Sequence, residues 1–322
     1  MAKILIIRFS SIGDIVLTTP VVRALKRDAH AEVHFITKKK FADVLNHNPN
    51  IDTVYTFENE ITEVLPQLKS ENYDYLIDLH KNLRSARLKN ALNIPSRTFN
   101  KLNVEKWLRV VLKFDILPKV HIVERYFEAV KFLNLKYDGQ GLDYFITNED
   151  RKAVDRLPDS HKNGYMAFVI GGAHYTKQIP EEQLIKLIND SPMPVVLLGS
   201  KADSKKAGII LKSTGEKAFD ATGQFSLNES AAIIERAKKV ITSDTGLMHI
   251  AAAFGKEIIS VWGNTIPEFG MYPLLPKGEE GKSKIMEVKG LRCRPCSKIG
   301  YDRCPKGHFK CMVDIDLKSV WK

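Results

Sequence analysis

The chain has 322 residues, enough for two domains of ordinary size. With 44% hydrophobic and 27% charged residues, its composition is that of a globular protein and excludes a disordered, collagen-like or coiled-coil chain. The amino-terminal apolar run ILII is too short for a signal peptide, and no run approaches the ~18 apolar residues of a membrane span. The sequence therefore predicts a soluble cytoplasmic protein, or one that is at most attached to the cytoplasmic face of the inner membrane.

The formal net charge of +11 is concentrated in two segments, which we call the basic islands. Residues 80–113 hold nine Lys and Arg against one acidic residue, and residues 282–322 hold eleven against four. Such islands indicate an anionic partner, which could be nucleic acid, an anionic membrane or a phosphorylated glycolipid. The alternative is a solvated surface that keeps the protein soluble.

The amino-terminal half alternates short apolar strands with helical patterns. The predicted strands are 2–8, 31–37, 54–57 and 74–79, and the predicted helices are 15–27, 41–45, 61–69, 103–113 and 122–134. This order indicates a parallel sheet flanked by helices.

The pattern weakens over residues 136–163, where we place the boundary between a domain of residues 1–155 and one of residues 156–322. The second half predicts strands 165–172, 194–199, 239–243 and 257–263, with helices 181–189, 226–237 and 246–254. The predicted fold class is α/β, with two Rossmann-like, doubly wound domains facing a central cleft. Ligands are expected at the carboxyl ends of the strands.

The loop after the first strand, RFSSIGDIVLTTP, lacks the G-x-G-x-x-G pattern of nicotinamide sites. It places Ser10, Ser11, Gly13 and Asp14 where the strand gives way to a helix. A carboxylate near a helix N-terminus is stabilised as the anion, and beside a cleft it can accept a proton from a hydroxyl group. The alternative is that Asp14 is an N-cap residue next to a turn glycine.

Two loops of the second half suit a phosphate ligand. ITSDTGLMHIAAAFG places Asp244, Thr245 and Gly246 at the start of a helix, where free N–H groups attract anions, and His249 follows on the same helix. Lys177, in GGAHYTKQIPEEQ, precedes a helix that begins at a proline and could neutralise a diphosphate. The alternatives are a structural histidine and a surface lysine.

The four cysteines all lie between residues 293 and 311. Cys293, Cys296, Cys304 and Cys311 would suit a structural zinc ion, with His308 as a spare ligand. Their spacing differs from that of paired zinc knuckles, so reduced thiols and disulfides stay open, the latter disfavoured in cytosol.

Residues 103–113, NVEKWLRVVLK, form an amphipathic pattern. Its basic residues, Lys106, Arg109 and Lys113, share one face of the predicted helix. The aliphatic residues Val104, Leu108 and Val111 lie on the opposite face. Such a helix either packs its apolar face on the core or presents a basic face to an anionic glycolipid or the cytoplasmic leaflet.

The segments KILIIRFSSIGDIVLTTP, YDYLIDLHKNLRSARL, GAHYTKQIPEEQ and ITSDTGLMHIAAAFG resemble, in order and over nearly the whole chain, the lipopolysaccharide heptosyltransferases of glycosyltransferase family 9. The resemblance implies a GT-B fold, with the nucleotide sugar in the carboxy-terminal domain and the acceptor in the amino-terminal one. It also implies an inverting, metal-independent transfer of heptose from ADP-heptose to a lipopolysaccharide core acceptor, without a catalytic cofactor.

Matched residue by residue, the resemblance implies that Asp14 is the catalytic base. The implied donor-binding residues are Lys177, Asp244, Thr245, Gly246 and His249, and the implied acceptor-binding residues are Ser10, Ser11, Gly13, Asn82 and Arg84. After Gly199, the segment SKADSKK offers only Asp203 as an acid for the donor ribose.

The expected partners are a nucleotide-sugar donor, an anionic lipid-linked saccharide acceptor and the cytoplasmic face of the inner membrane, whereas nucleic acid is not expected. Two other functions stay open. One is a GT-B enzyme with another nucleotide sugar, or an epimerase, which would need further acids in the cleft. The other is a non-catalytic protein that binds anionic lipid or RNA, against which Asp14 and the 243–249 loop argue.

Overall fold

The computed structural model describes residues 1–321, which form two compact units. The first unit comprises Met1–Lys101 and Val120–Phe145, and the second comprises Leu102–Lys119 and the residues from Ile146 onward. This division differs from the predicted boundary at residue 155, since it lies nearer the amino terminus and assigns a segment of the first half to the second unit. Hydrogen bonds from Lys113 to the carbonyl groups of Cys293 and Pro295 hold that segment there.

The first unit contains a five-stranded parallel sheet in the order β3-β2-β1-β4-β5. Its strands are β1 (Lys3–Ile7), β2 (Glu32–Lys38), β3 (Thr53–Phe57), β4 (Tyr75–Asp78) and β5 (Ser96–Thr98). The continuous apolar run of β1 is buried, as expected for the central strand of a sheet with both faces covered.

The second unit contains a six-stranded parallel sheet in the order β11-β10-β9-β6-β7-β8. Its strands are β6 (Met166–Val169), β7 (Val195–Leu198), β8 (Ala218–Asp220), β9 (Lys239–Ser243), β10 (Glu257–Trp262) and β11 (Ser283–Glu287). The strand order reverses at β6, and a crevice at such a reversal is the usual ligand position in a doubly wound sheet.

The α-helices, numbered along the whole chain, are mostly short. They are α1 (Ile12–Val16), α2 (Thr19–Arg27), α3 (Leu65–Ser70), α4 (Leu83–Leu92), α5 (Asn103–Val111), α6 (Ile122–Phe127), α7 (Asn148–Arg151), α8 (Asp159–Lys162), α9 (Glu181–Asn189), α10 (Ser204–Thr214), α11 (Leu227–Arg236), α12 (Gly246–Ala253) and α13 (Lys310–Val313). Within residues 1–321, none of these helices has the length and hydropathy needed to cross a bilayer.

The predicted helix 15–27 is in fact two helices. α1 ends at Val16, and α2 begins at Thr19 with Pro20 in its first turn, where the fixed φ of proline is compatible with a helix start. Asp14 therefore lies in the short α1, ahead of the amphipathic helix α2.

Candidate active site

The predicted acceptor residues follow two neighbouring strands of the first unit. Ser10, Ser11, Gly13 and Asp14 follow β1, and Asn82 follows β4. Because β1 and β4 pair in parallel, both loops lie at the same edge of the sheet. The rings of Phe9 and His80, one from each loop, approach with centroids 5.0 Å apart.

Asp14 is held by two neighbours. Ser11 donates to its Oδ2 through the hydroxyl group at 2.7 Å and through the backbone N–H at 3.2 Å, and the Arg8 guanidinium pairs with its Oδ1. Ser11 rather than Asp14 is the N-cap residue of α1. The carboxylate is thus fixed in orientation while about a quarter of its side chain, 23%, stays exposed.

Arg8 is a site residue that the sequence did not predict. It is buried, and it donates to the carbonyl group of Ser10 at 2.8 Å and to the Tyr126 hydroxyl at 3.2 Å. Burial acts to lower the pKa of Arg8, but Asp14, Tyr126 and Asp78 together raise it by more, so the guanidinium stays charged. The signal in the sequence was a cation directly after a buried strand, where an isolated charge would be costly.

Asn82 and Arg84 have local roles that their sequence motif did not reveal. Asn82 is the N-cap of α4, since its side-chain oxygen accepts the Ser85 N–H at 2.8 Å. The Arg84 guanidinium lies 5.8 Å from the centre of the Phe57 ring. Both side chains are therefore engaged by the first unit itself.

Asp78 organises the loop that carries Asn82. Its buried carboxylate accepts the backbone N–H groups of His80 at 3.0 Å and Lys81 at 2.7 Å, and the Ser85 hydroxyl at 2.8 Å. Because β4 ends at Asp78, this carboxylate fixes the path of the chain as it leaves the sheet. An acid that closes a buried apolar strand was the available signal.

The predicted donor residues follow adjacent strands of the second unit. Lys177 follows β6 and Asp244 follows β9, and these strands pair in parallel. The Lys177 ammonium donates to Asp244 Oδ2 at 2.6 Å, with both side chains largely buried. Thr265, which follows β10 and was not predicted, donates its hydroxyl to the same oxygen at 3.2 Å.

Thr245 and Gly246 form the start of α12, as predicted. Thr245 is the N-cap, and its hydroxyl oxygen accepts the Met248 N–H at 3.4 Å and lies 3.1 Å from the Thr242 hydroxyl. Gly246 is the first residue of the helix, so its N–H belongs to the free group at a helix N-terminus. His249 is buried on the same helix.

Asp203 lies beside the glycines that end β6 and β7. It caps its own loop, because its Oδ2 accepts the Ser200 N–H at 2.8 Å and hydroxyl at 2.7 Å. A Cβ atom at Gly171 would lie 2.4 Å from that carboxylate, and one at Gly199 would lie 3.0 Å from it. The two glycines thus leave space for an acid at the carboxyl edge of the sheet.

The four cysteines lie in one segment of the second unit, residues 291–311, which we call the cysteine loop. All four are unbridged; Cys311 is buried and the others are half-buried. Burial, followed by the neighbouring thiol of Cys296, raises the pKa of Cys311 to about 12. Cys293 Sγ lies 3.9 Å from His308 Nε2, but among residues 1–321 no three of these ligand atoms lie within 4.8 Å of one another.

Another group of potential metal ligands lies at the opposite end of the first sheet. Glu32, His34 and Glu71 bring their side-chain ligand atoms within 4.8 Å of one another. The Lys3 ammonium lies 2.8 Å from Glu71 and 3.1 Å from Glu32. An ammonium group thus already balances the charge of this cluster.

Comparison with known proteins identifies the family. The family model of glycosyltransferase family 9 (heptosyltransferase) matches residues 61–297. Lipopolysaccharide heptosyltransferase 1 of Campylobacter coli is 24% identical over 290 residues, which cover 82% of this chain and 84% of that protein.

Two solved structures from E. coli share the fold. ADP-heptose LPS heptosyltransferase II has a TM-score of 0.72 at 19% identity, covering 97% of this chain and 94% of that one. Heptosyltransferase WaaC with ADP-2-deoxy-2-fluoro heptose has a TM-score of 0.65 at 22% identity, covering 89% and 94%. The predicted fold class, GT-B with two Rossmann-like domains, is confirmed. Because the family model matches most of this chain, the chain belongs to glycosyltransferase family 9, the heptosyltransferases, and is a glycosyltransferase.

Proposed function

We propose that this protein transfers heptose from ADP-heptose to a sugar of the lipopolysaccharide core. Support comes from the family, from the lipopolysaccharide heptosyltransferase to which the chain is similar, and from the neighbour solved with a fluorinated ADP-heptose. In this proposal, Asp14 in the first unit would act as the base, and the Lys177–Asp244 group in the second would hold the donor.

The second unit is the proposed donor domain. The observation that carries the proposal is the meeting of Lys177, Asp244 and Thr265 at the carboxyl edge of three adjacent strands, beside the N-terminus of α12. A diphosphate bound at this edge would meet the Lys177 ammonium, the Thr245 hydroxyl and the Gly246 N–H. These groups would stabilise the negative charge that develops on the departing nucleoside diphosphate. His249 would line the same site from within the helix.

The first unit is the proposed acceptor domain, with Asp14 as general base. The acceptor hydroxyl would give its proton to the Asp14 carboxylate as its oxygen bonds to the anomeric carbon. The bond from that carbon to the phosphate oxygen breaks, and ADP leaves from the opposite face with inversion. Arg8 and Ser11 hold the carboxylate in place, and Ser10, Gly13, Asn82 and Arg84 are the proposed acceptor contacts.

Catalysis is proposed to proceed without a metal ion or an organic cofactor, because fixed hydrogen-bond donors and a cation supply the charge stabilisation. The structural zinc ion stays a separate prediction for the cysteine loop. Four thiols are a donor set that zinc prefers, but their sulfur atoms would have to approach one another and lose their protons.

The test is a transfer assay with ADP-heptose and a lipopolysaccharide core acceptor that lacks heptose, with the product configuration read by NMR. The expected result is a β-to-α or α-to-β inversion at the anomeric carbon and release of ADP. ADP-glucose, UDP-sugars and GDP-sugars serve as donor controls. Turnover with one of these but not with ADP-heptose would contradict the proposed donor, and epimerisation of a nucleotide sugar without acceptor would favour the alternative enzyme.

A further inference from the structure

The helix α5 does not bury its apolar face. Six large apolar side chains between residues 104 and 116 are more than a third exposed, and none of the residues of α5 is buried. The most exposed members include Val104 at 67% and Phe114 at 58%. The exposed set is Val104, Trp107, Val111, Leu112, Phe114 and Ile116. The expectation that such a helix packs its apolar side on the core is therefore not met.

A cationic cavity adjoins this apolar strip. Lys113 crosses from the end of α5 to the cysteine loop, where its ammonium donates to the carbonyl groups of Pro295 at 2.6 Å and Cys293 at 3.3 Å. The cavity so formed has a volume of about 680 Å³. Its basic lining is Lys113, Arg292, Lys306 and Lys310, and its apolar lining includes Val110, Leu291 and Tyr301. Among the described residues that line it, none is acidic.

The structure thus joins parts of both basic islands on one unit. Residues 103–113 come from the first island and residues 291–310 from the second, and Lys113 links them. Cations beside a partly exposed tryptophan and exposed aliphatic side chains are the combination found where a protein lies in the headgroup region of a bilayer. Anionic lipid attracts the cations, and the apolar side chains leave water.

The alternative occupants fit this surface less well. A second copy of the chain in a symmetric dimer would bring two lysine-rich surfaces together, and like charges in contact are unfavourable. Interfaces with other proteins are depleted in lysine. An RNA would use the cations, but the aliphatic side chains of α5 would gain nothing from it.

We propose that α5, residues 112–116 and the cationic cavity form a surface that docks onto an anionic lipid bilayer. The proposal rests on the proposed function only in that a lipid-linked acceptor is presented at a membrane. In this arrangement, Trp107 enters the headgroup region, and the charges of Lys306 and Lys310 contact the headgroups.

The test uses the intact chain with vesicles of phosphatidylcholine mixed with phosphatidylglycerol, and with vesicles of phosphatidylcholine alone. Two variants remove the surface: Trp107→Ser with Val111→Ser, and Lys306→Glu with Lys310→Glu. Matched controls lie on α10, where Ile209 is an exposed aliphatic residue and Lys205 and Lys212 are exposed cations. They are Ile209→Ser, and Lys205→Glu with Lys212→Glu. Brominated phosphatidylcholine in the mixed vesicles reports contact through quenching of tryptophan fluorescence.

We expect the mixed vesicles to bind the wild-type chain and both controls, and binding to fall about tenfold or more in each surface variant. Brominated lipid should quench the wild-type emission much more strongly than that of Trp107→Phe, because Trp262 is buried and Trp321 is partly buried against the core of the second unit. Equal binding to neutral vesicles, an equal loss in the controls, or unquenched emission would overturn the proposal. So would a dimer in solution that Trp107→Ser dissociates while lipid binding persists.

A water-soluble, deacylated acceptor separates this proposal from the proposed function. Both surface variants should turn over the soluble acceptor at the wild-type rate and lose rate only on an acceptor embedded in vesicles. Absence of heptosyl transfer by the wild type, together with normal vesicle binding, would refute the proposed function and leave the docking surface standing.

Discussion

At the scale of single residues, the candidate base Asp14 is held in place by Arg8, which belongs to none of the predicted sites. Arg8 is buried and still charged because Asp14 pairs with it, and it also holds the Ser10 carbonyl group and the Tyr126 hydroxyl. The sequence made Asp14 a candidate through its position after a strand and through the family resemblance, which implies that it is the base. The sequence could not identify Arg8, because only the fold brings Leu79, just after β4, and Tyr126 of α6 against that side chain.

Asp14→Asn should reduce turnover by ~10²–10⁴-fold, because the amide cannot accept the proton of the acceptor hydroxyl. The ADP affinity should stay near that of the wild type, since the donor residues are unchanged. The free energy of unfolding should fall by roughly 1–3 kcal/mol, because the buried Arg8 loses its counter-charge.

Initial rates, calorimetry with ADP and denaturant unfolding measure the three effects. Asp43→Asn, an exposed acid of the same unit, is the matched control. Turnover of Asp14→Asn within a few-fold of the wild type would show that Asp14 is only structural.

Lys177→Ala should weaken ADP binding by roughly 1.5–3 kcal/mol, about 10- to 100-fold, because it removes a charge-assisted hydrogen bond. It also leaves the Asp244 carboxylate without its ammonium partner, so a remaining negative charge opposes the diphosphate. Titration calorimetry with ADP measures the loss, with the exposed Lys186→Ala on α9 as control. Unchanged ADP affinity would remove Lys177 from the donor site.

His80 should make stability depend on pH in the acid range. Burial, with the charges of Arg8 and Lys101, lowers its pKa from 6.5 to about 4. The folded protein therefore binds the proton less tightly than the unfolded chain, and the free energy of unfolding falls as the pH falls from 6.5 towards 4. The loss due to His80 is about 2–3 kcal/mol.

Urea unfolding of the wild type and of His80→Gln over this range measures the effect. Between pH 6.5 and pH 4, the free energy of unfolding of the variant should fall by about 2–3 kcal/mol less than that of the wild type. Parallel stability curves for the two proteins would show that His80 titrates normally in the fold.

At the scale of elements, the sequence predicts what local patterns control. Helix α9 and strand β9 have the predicted bounds, because Pro180 directly precedes the helix and three successive β-branched residues, Val240 to Thr242, favour the strand. The elements α4, β8 and β11 were not predicted. Their half-exposed residues lack a clear period, so their structure depends on tertiary pairing, which a local pattern does not contain.

The cysteine loop shows the same limit. Spacing predicted four zinc ligands, but spacing does not set the distances between sulfur atoms. The structure brings the thiols together closely enough that each neighbour raises the pKa of Cys311, and not within 4.8 Å as a group of three.

Iodoacetamide should therefore alkylate Cys293 well before Cys311 in the metal-free folded protein. With a pKa of about 12, Cys311 is almost entirely protonated near neutral pH, and only the thiolate reacts. Mass spectrometry after timed labelling gives the order, with the urea-unfolded chain as control. Equal labelling rates of Cys293 and Cys311 in the folded protein would contradict this predicted order. Protection of all four thiols by added zinc would support the zinc prediction.

At the scale of the whole molecule, the predicted acceptor residues lie on one Rossmann-like unit and the predicted donor residues on the other. The alternation of strands and helices predicted both sheets, but the chain does not divide at a single point. Residues 102–119 return to the second unit through contacts with the cysteine loop, 180 positions away in the case of Lys113 and Cys293. No local composition marks such a long-range assignment.

Full transfer activity should survive excess EDTA, because Lys177, Thr245 and the N-terminus of α12 would take the place of a divalent cation at the diphosphate. Initial rates with and without EDTA, then with added Mg²⁺, test this. A loss restored by Mg²⁺ would contradict the proposed donor site, whereas a loss restored only by Zn²⁺ would implicate the cysteine loop.

The backbone of Tyr301 exchanges hydrogen bonds with Thr176, whose N–H donates to the Tyr301 carbonyl group at 3.1 Å and whose hydroxyl accepts the Tyr301 N–H at 2.8 Å. Thr176 immediately precedes Lys177, and Tyr301 lines the cationic cavity. The proposed donor loop and the proposed membrane surface thus share one wall. Any ligand that moves this wall from one side changes the affinity on the other, and thermodynamic linkage makes the two effects equal. A bilayer that tightens the hold on ADP would then itself be held more tightly by the ADP-loaded enzyme.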